Sequence, residues 1–128
     1  MKNSTVKYNV EVKVETQYLS DQSAPNADRY VFSYTITIAN VGTIGAKLLS
    51  RHWYITNANG NCQEVTGEGV VGETPHLIPG QSFRYTSGTY METPLGSMHG
   101  TYQMLADDGT EFDAIIPAFT LARPGILN

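Results

Sequence analysis

The sequence predicts an all-β fold, an antiparallel β-sandwich of about seven strands with immunoglobulin-like or fibronectin type III-like topology. Three observations support this prediction: several segments alternate between apolar and polar residues, turn residues recur at short intervals, and no window has helical periodicity. Charged residues make up only 16% of the chain and tyrosines number eight, a balance that suits strands. Because the chain has 128 residues, we expect a single domain over residues 1–128.

Alternation is longest in the first half of the chain. Residues 8–15 place valines on one face and charged or amide side chains on the other, which is typical of a half-buried strand. Residues 30–40 alternate aromatic and isoleucine side chains with serine and threonine, and residues 46–57 form a third predicted strand. The predicted inner face of this third strand carries Leu49, Trp53 and Ile55. Trp53 is the expected anchor of the core.

Turn residues separate the remaining strands. Asn59-Gly60 predicts a tight hairpin turn, because both residue types tolerate positive φ. Further turns are predicted at Pro79-Gly80, Pro94-Leu95-Gly96 and Asp107-Asp108-Gly109. Between these turns we expect strands at residues 62–66, 82–90, 98–104 and 112–116. Pro117 disfavours a central strand, so residues 119–121 are expected on an edge or on a bent continuation.

Tyr102 resembles the tyrosine corner of immunoglobulin-like sandwiches. It begins a late strand and precedes the inward-facing Met104 by two residues. We therefore expect its hydroxyl to bond to the backbone a few residues upstream.

Composition argues against several classes of protein. The single cysteine, Cys62, has no partner for an internal disulfide and cannot by itself form a cysteine-rich metal site. A net charge of -4 and a pI near 5.2 disfavour nucleic acid as a partner. Residues 1–5 lack an apolar leader, and no stretch is apolar enough to span a membrane. We expect a soluble cytoplasmic protein without membrane insertion.

Gly67, Gly69 and Gly72 match the GxGxxG pattern of pyrophosphate-binding loops, in which glycine lets the backbone approach phosphate closely. That chemistry also requires a helix that opens on the glycines, whereas Pro75 disfavours helix just after them. Three glutamates surround the loop, and no lysine or arginine lies between Arg51 and Arg84. An ordinary glycine loop is the favoured interpretation.

Candidate ligands for a divalent cation are His76, His99, Asp107 and Asp108. The three histidines of the chain are too far apart in sequence to form a metal site on one element. The aspartates belong to a denser acidic segment, which also contains Glu111 and Asp113, but the EF-hand pattern is absent. A solvated hairpin tip with turn-forming aspartates is the favoured alternative.

No residue pattern indicates catalysis. Cys62 and the serines near Arg51 and Gly88 lack a nucleophile elbow, so we expect no enzyme activity and no cofactor. Arg51 belongs to the same alternating set as Trp53 and is expected either to be partly buried with a carboxylate partner or to be exposed at a strand end.

Four segments resemble the ApaG family, also called CorD: LLSRHWYIT at residues 48–56, GEGVVGETP at 67–75, YTSG at 85–88 and IPAF at 116–119. The resemblance extends over residues 10–121. It implies a fibronectin-type or immunoglobulin-like sandwich, a link to cobalt resistance and magnesium efflux, and a gene neighbourhood shared with a diadenosine tetraphosphate hydrolase. Eukaryotic members occur as domains of an F-box protein and of a DNA-polymerase-interacting protein, which implies protein contacts.

The resemblance implies a non-enzymatic protein that acts indirectly in Co²⁺ and Mg²⁺ homeostasis, since a soluble sandwich cannot itself transport ions. One alternative is a protein-protein interaction module. A second alternative is a nucleotide- or pyrophosphate-binding protein that uses Gly67, Gly69 and Gly72. An unknown protein partner is expected, and a homodimer and a bound divalent cation are left open.

Overall fold

The structure, a computed structural model, describes residues 6–126 and contains eight strands in two antiparallel sheets. The strands are β1 (Val10–Tyr18), β2 (Tyr30–Asn40), β3 (Ala46–Asn57), β4 (Cys62–Glu68), β5 (His76–Leu77), β6 (Ser82–Met91), β7 (Leu95–Ala106) and β8 (Glu111–Ala122). Two short 3-10 turns, Ser20–Gln22 and Pro25–Ala27, interrupt the loop after β1. Residues 1–5, for which we predicted no apolar leader, lie outside the described part of the chain.

The smaller sheet has the order β1-β2-β6, and the larger sheet has the order β4-β3-β7-β8 with β5 also paired to β3. β4 and β5 pair with successive parts of β3, so they lie one after the other along the same edge. This arrangement confirms the predicted antiparallel sandwich. The prediction missed β5, because two residues are too short to show alternation. No helix within residues 6–126 combines the length and apolar character needed to cross a membrane.

One cluster of buried side chains fills the space between the sheets, and the alternating faces of β2 and β7 supply much of it. Trp53 is 2% exposed and lies at the centre of an aromatic group. Its ring centroid is 5.4 Å from that of Tyr34 and 5.9 Å from that of Phe119. Edge-to-face contacts of this kind add to the stabilisation from burial. The prediction of Trp53 as core anchor is confirmed.

The predicted inner face of β3 is wrong at Leu49. Leu48 is fully buried, whereas Leu49 is only half-buried. The pairing register with β7 shifts between Leu48 and Ser50, so the strand contains a β-bulge at Leu49. The extra residue reverses the alternation, because each single-residue shift turns side chains to the other face of the sheet.

The predicted tyrosine corner is also wrong. The hydroxyl of Tyr102 lies 2.6 Å from the hydroxyl of Tyr85 rather than bonding to upstream backbone. Tyr102 occupies the middle of β7 and is fully buried, so its ring points across the sandwich toward β6 in the other sheet. The nearest partner for its polar end is therefore a side chain of that sheet.

Pro117 lies within β8, which is an edge strand of the larger sheet. The register shifts between Met98 and Gly100, where two residues of β8, Pro117 and Ala118, oppose one residue of β7. A proline is tolerated at an edge or a bulge because it removes no central ladder bond. The expectation of an edge or bent continuation after Pro117 is confirmed.

Candidate functional site

The two sheets close along one side, where β1 packs against β8, and remain open along the other. On the open side a cavity of about 530 Å³ lies between β6 and β4. A second cavity of about 230 Å³ continues toward residues 68–72. Four residues line both cavities: Tyr34, Arg51, Trp53 and Ser87. We call the two cavities together the inter-sheet groove.

The groove follows from the unequal width of the two sheets. The smaller sheet ends at β6, while the larger sheet continues past β3 to β4. The inner side of β3 and β4 therefore borders open space, and Ile55 and Val65 are only half-buried there. Ser87, which points inward from β6 on the opposite wall, widens the opening because its side chain is small. A groove of this size falls within the range of ligand-binding pockets.

Arg51 extends into the inter-sheet groove from β3. Its Nη1 donates hydrogen bonds of 2.9 Å to the carbonyl oxygens of Glu68 and Gly69. The guanidinium lies over Gly67, where a Cβ atom would approach Nη2 to 2.7 Å, so a larger residue could not occupy position 67 without moving Arg51. The expected carboxylate partner is not found among residues 6–126, where no ion pair includes Arg51. The groove therefore contains a half-buried positive charge that backbone carbonyls hold in place.

Trp53 borders the groove and carries one unpaired donor. Its Nε1 is buried and has no hydrogen-bond partner within residues 6–126. Most buried polar groups in folded proteins are paired, because an unpaired donor loses its bond to water without compensation. Because this indole N–H is buried, the guanidinium of Arg51 is the polar group of the two that is accessible from the groove.

Beneath Arg51, the hydroxyls of Tyr85 and Tyr102 form the buried pair described above. Burial raises the pKa of Tyr85 to about 12, although its bond to Tyr102 and the charge of Arg51 oppose the shift. Burial likewise raises the pKa of Tyr102 far above its ordinary value, and the neighbouring Tyr85 adds to this shift. Both phenols are therefore neutral in the folded protein at physiological pH.

This pair predicts a loss of stability in alkali. In the unfolded chain both phenols ionise near pH 10, whereas the folded state retains their protons, so stability is complete below pH 10 and falls as pH rises toward 12. Two retained protons give a slope of about 2.7 kcal/mol per pH unit. Urea unfolding between pH 10 and 12 should show this slope, and Tyr102→Phe should reduce it to about half. Tyr90→Phe, which alters an exposed ring, is the control and should leave the slope unchanged.

The glycines of the GxGxxG segment have different structural roles. Gly67 lies within β4, and Gly69 has a φ of +59°. Val71 and Gly72 form a two-residue turn, with φ values of 43° and 82°. Hydrogen bonds between Val70 and Glu73 close this turn in both directions. The chain then leads into β5 rather than into a helix.

Two amides of this segment already have backbone partners. The amide of Gly69 donates to the carbonyl of Leu49, and that of Val70 donates to Glu73. The amides of Val71 and Gly72 donate to no acceptor within the described residues. A β-branched residue such as Val71 rarely adopts positive φ, so the turn is strained at its tip. The buried side chain of Val70 anchors the loop to the core.

Of the four predicted cation ligands, the structure brings two together. His76 Nε2 lies 2.8 Å from Asp107 Oδ1, and both side chains are about half exposed. Asp108 follows Asp107 but accepts a 2.6 Å hydrogen bond from the Tyr8 hydroxyl. This bond is the main cause that holds the pKa of Asp108 well below its usual range. Within residues 6–126, no group of three His, Cys, Asp or Glu side chains is placed to hold a metal ion.

His99 lies on the outer face of the larger sheet, away from the other candidates. Its ring stacks on Tyr54 with centroids 5.0 Å apart, and Tyr54 stacks on His52 at 4.7 Å. His52 Nε2 in turn lies 2.5 Å from a carboxylate oxygen of Glu64. Alternation alone placed His52 and Tyr54 on one face, but the stack with His99 required the pairing of β3 with β7.

The inter-sheet groove was not predicted as a site. Alternation indicated that Arg51 and Trp53 share a face, and the small residues Ser87 and Gly88 within a strand were the remaining sequence signal. Cys62 lies at the rim of the groove with an exposed side chain. Which strands face one another across the opening depends on sheet order, and sheet order does not follow from alternation.

Comparison with known proteins gives the family. A family model described as the ApaG domain matches residues 20–106. Protein ApaG of Thiobacillus denitrificans is 59% identical over 122 residues, which cover 95% of this chain and 96% of that protein. Protein ApaG of Azoarcus sp. is 58% identical over 121 residues, which cover 94% and 95%.

Solved structures agree with this relationship. The crystal structure of a protein described as ApaA from Bordetella pertussis matches with a TM-score of 0.92 and 44% identity. The match covers 94% of this chain and 98% of that chain. Sequence and fold thus agree over nearly the whole length, and the resemblance drawn from four short segments is confirmed. This chain belongs to the ApaG family.

Proposed function

We propose that this chain is a non-enzymatic cytoplasmic protein that supports Co²⁺ and Mg²⁺ homeostasis indirectly, by binding another protein. The inter-sheet groove carries the part of the proposal that concerns binding of another protein. It combines an open cavity of about 530 Å³ with a half-buried arginine and, on each wall, a strand edge that no other strand within residues 6–126 covers. Exposed edges and grooves of this kind are features that proteins use for recognition.

An indirect role fits the positions of the candidate ligands. His76 and Asp107 supply two exposed ligands on one end of the sandwich, whereas His99 lies on its outer face. A stable transition-metal site in a protein generally needs three or four ligands in fixed geometry. The link to Co²⁺ and Mg²⁺ then comes from the family resemblance and is expected to pass through a partner, such as a transporter or its regulator.

The test is deletion of the gene followed by growth in graded Co²⁺ and Mg²⁺. We expect altered sensitivity to these cations, restored by the wild-type gene. Unaltered sensitivity would refute the role in cation homeostasis. A Co²⁺ titration followed by amide-resolved NMR tests whether the role is indirect, because a bound paramagnetic ion broadens the resonances of nearby residues. Saturable broadening confined to residues near His76 and Asp107 would make the protein a direct sensor instead.

A second candidate function is pyrophosphate binding at the GxGxxG segment. Its support is the turn at Val71 and Gly72, whose amides have no acceptor within residues 6–126, with the guanidinium of Arg51 beside the neighbouring Gly67. Backbone amides in such turns can bind anions. Titration with diadenosine tetraphosphate tests this function. Saturable shifts at residues 69–73 would favour it, and their absence would exclude it.

A further inference from the structure

We propose that the inter-sheet groove binds an extended segment of another protein, which pairs with the free edge of β6 and places an Asp or Glu side chain against Arg51. This inference rests on the proposed function, because it specifies the chemistry of the partner that the groove takes. In effect, the segment would become a fourth strand of the smaller sheet and would cover the inner face of β4, which no strand of the described chain covers. Strand addition of this kind is an established mode of peptide recognition.

β6 is the better of the two edges for such pairing. Its outer edge pairs with no other strand within residues 6–126, and residues 85–91 contain neither a charged residue nor a proline. Charged residues and prolines commonly protect exposed strand edges from pairing with other chains, so this stretch of β6 is unprotected. β4 carries Glu64 and Glu68, which would repel an acidic segment. The small residues Ser87 and Gly88 also leave room for an incoming backbone.

Arg51 determines the charge of the segment. It is the one cationic residue that lines either cavity, and no acidic side chain within residues 6–126 neutralises it. A carboxylate can accept hydrogen bonds from a guanidinium, and the hydrogen bonds of Arg51 within residues 6–126 use Nη1 alone. The acidic residue should occupy the middle of the segment, because open cavity lies on both sides of Arg51.

Both ends of the groove disfavour an acidic side chain in the bound segment. Glu92 lines the large cavity just beyond the end of β6, and Glu68 lines the small cavity. Acidic residues at either end of a bound segment would therefore meet like charge. Between these ends, residues 85–91 of β6 extend over about 20 Å, which corresponds to a segment of about seven residues.

The walls of the groove define the neighbours of the acidic residue. Ile55 and Val65 line the large cavity with half-buried apolar side chains. Side chains of a strand alternate between faces, so residues two positions from the acidic one would also point into the groove. We therefore expect apolar side chains at those positions, and no preference at the positions between them.

The experiment is selection of displayed random seven-residue peptides on the immobilised full-length protein. Parallel selections use Arg51→Gln and the control Arg84→Gln, which removes an exposed arginine from the outer face of β6. We expect enrichment of peptides with a central Asp or Glu and apolar residues two positions away. We also expect Arg51→Gln, but not Arg84→Gln, to weaken binding of a selected peptide by about tenfold or more. Amide NMR with that peptide should shift residues 85–91.

Several results would overturn the inference. The first is that no peptide is enriched, and the second is that the enriched peptides lack a central acidic residue. The third is that the selected peptide binds equally well to an Arg51→Gln variant that still unfolds cooperatively. The fourth is that the peptide shifts only amide resonances of the outer face around Tyr54. A homodimer in size-exclusion chromatography, together with amide shifts at residues 85–91 on dilution to the monomer, would make a second copy the occupant, which also refutes an acidic partner segment. If the Arg51→Gln variant fully restores cation tolerance in the deletion strain, the inference is refuted and the proposed function remains intact. Absence of any phenotype on deletion would refute the proposed function alone, since peptide selection does not depend on it.

Discussion

Gly100→Ala is expected to destabilise the protein by at least about 3 kcal/mol, a large part of the 5–15 kcal/mol that stabilises a typical domain. Gly100 lies in β7 opposite Trp53 of β3, and a Cβ atom added there would overlap the carbonyl oxygen of His52. The obstacle is backbone in the middle of the larger sheet, so no side-chain rotation relieves it. Urea unfolding at neutral pH measures the change as a lower midpoint.

Gly88→Ala is the matched control, because Gly88 is also a strand glycine. A Cβ atom there would lie 3.5 Å from the carbonyl oxygen of Phe32, an ordinary contact distance. Alanine also loses less backbone entropy than glycine on folding, so stability should be unchanged or slightly higher. Equal losses in the two variants would mean that the close approach of β7 to β3 is not the cause.

Asn40→Leu is expected to destabilise the protein by about 3 kcal/mol or more, because leucine has the same branching as asparagine but makes no hydrogen bond. Asn40 is 2% exposed at the end of β2. Its Nδ2 donates to the carbonyls of Ile44 and Leu77 at 2.9 and 2.8 Å, and its Oδ1 accepts from the amide of Gly42 at 2.9 Å. The substitution would leave these backbone groups without a partner, which should appear as a lower urea midpoint and as faster amide exchange at Gly42.

Asn57→Ala is the control for this prediction. Asn57 Oδ1 accepts hydrogen bonds from the amides of Asn59 and Asn61 in an exposed turn. Water can replace those bonds, so the loss should stay below about 1 kcal/mol. A loss at Asn40 as small as that at Asn57 would show that the buried bonds of Asn40 contribute little to stability.

Local chemistry made most of the strands predictable. The alternation of Phe32, Tyr34 and Ile36 with Ser33 and Thr35 predicted the inner face of β2, and each of the three apolar residues is buried. Pro117 predicted an edge or a bend because a proline cannot donate to a ladder. Leu49 was assigned to the wrong face of β3, because a bulge depends on the register with a neighbouring strand and leaves no local signature in the sequence.

The candidate site was predictable only in part. Alternation placed Arg51 and Trp53 on one face, but it predicted a carboxylate partner for Arg51, and the described structure instead places carbonyls of Glu68 and Gly69 there. These carbonyls come close because β4 pairs with β3 in one particular register. The proposed ligands His76 and Asp107 were likewise joined by the pairing of β5 and β7 with β3.

The amino-acid sequence by itself determined that the chain forms strands, which faces of most strands are buried, where turns occur and which family the chain belongs to. These properties depend on residues that are adjacent or alternate along the chain. Only the tertiary structure decided that, within residues 6–126, three strands cover one sheet face and leave β4 uncovered, and that Arg51 lines the resulting groove. Sheet order and register arise from contacts between residues far apart in the chain, which no local pattern specifies.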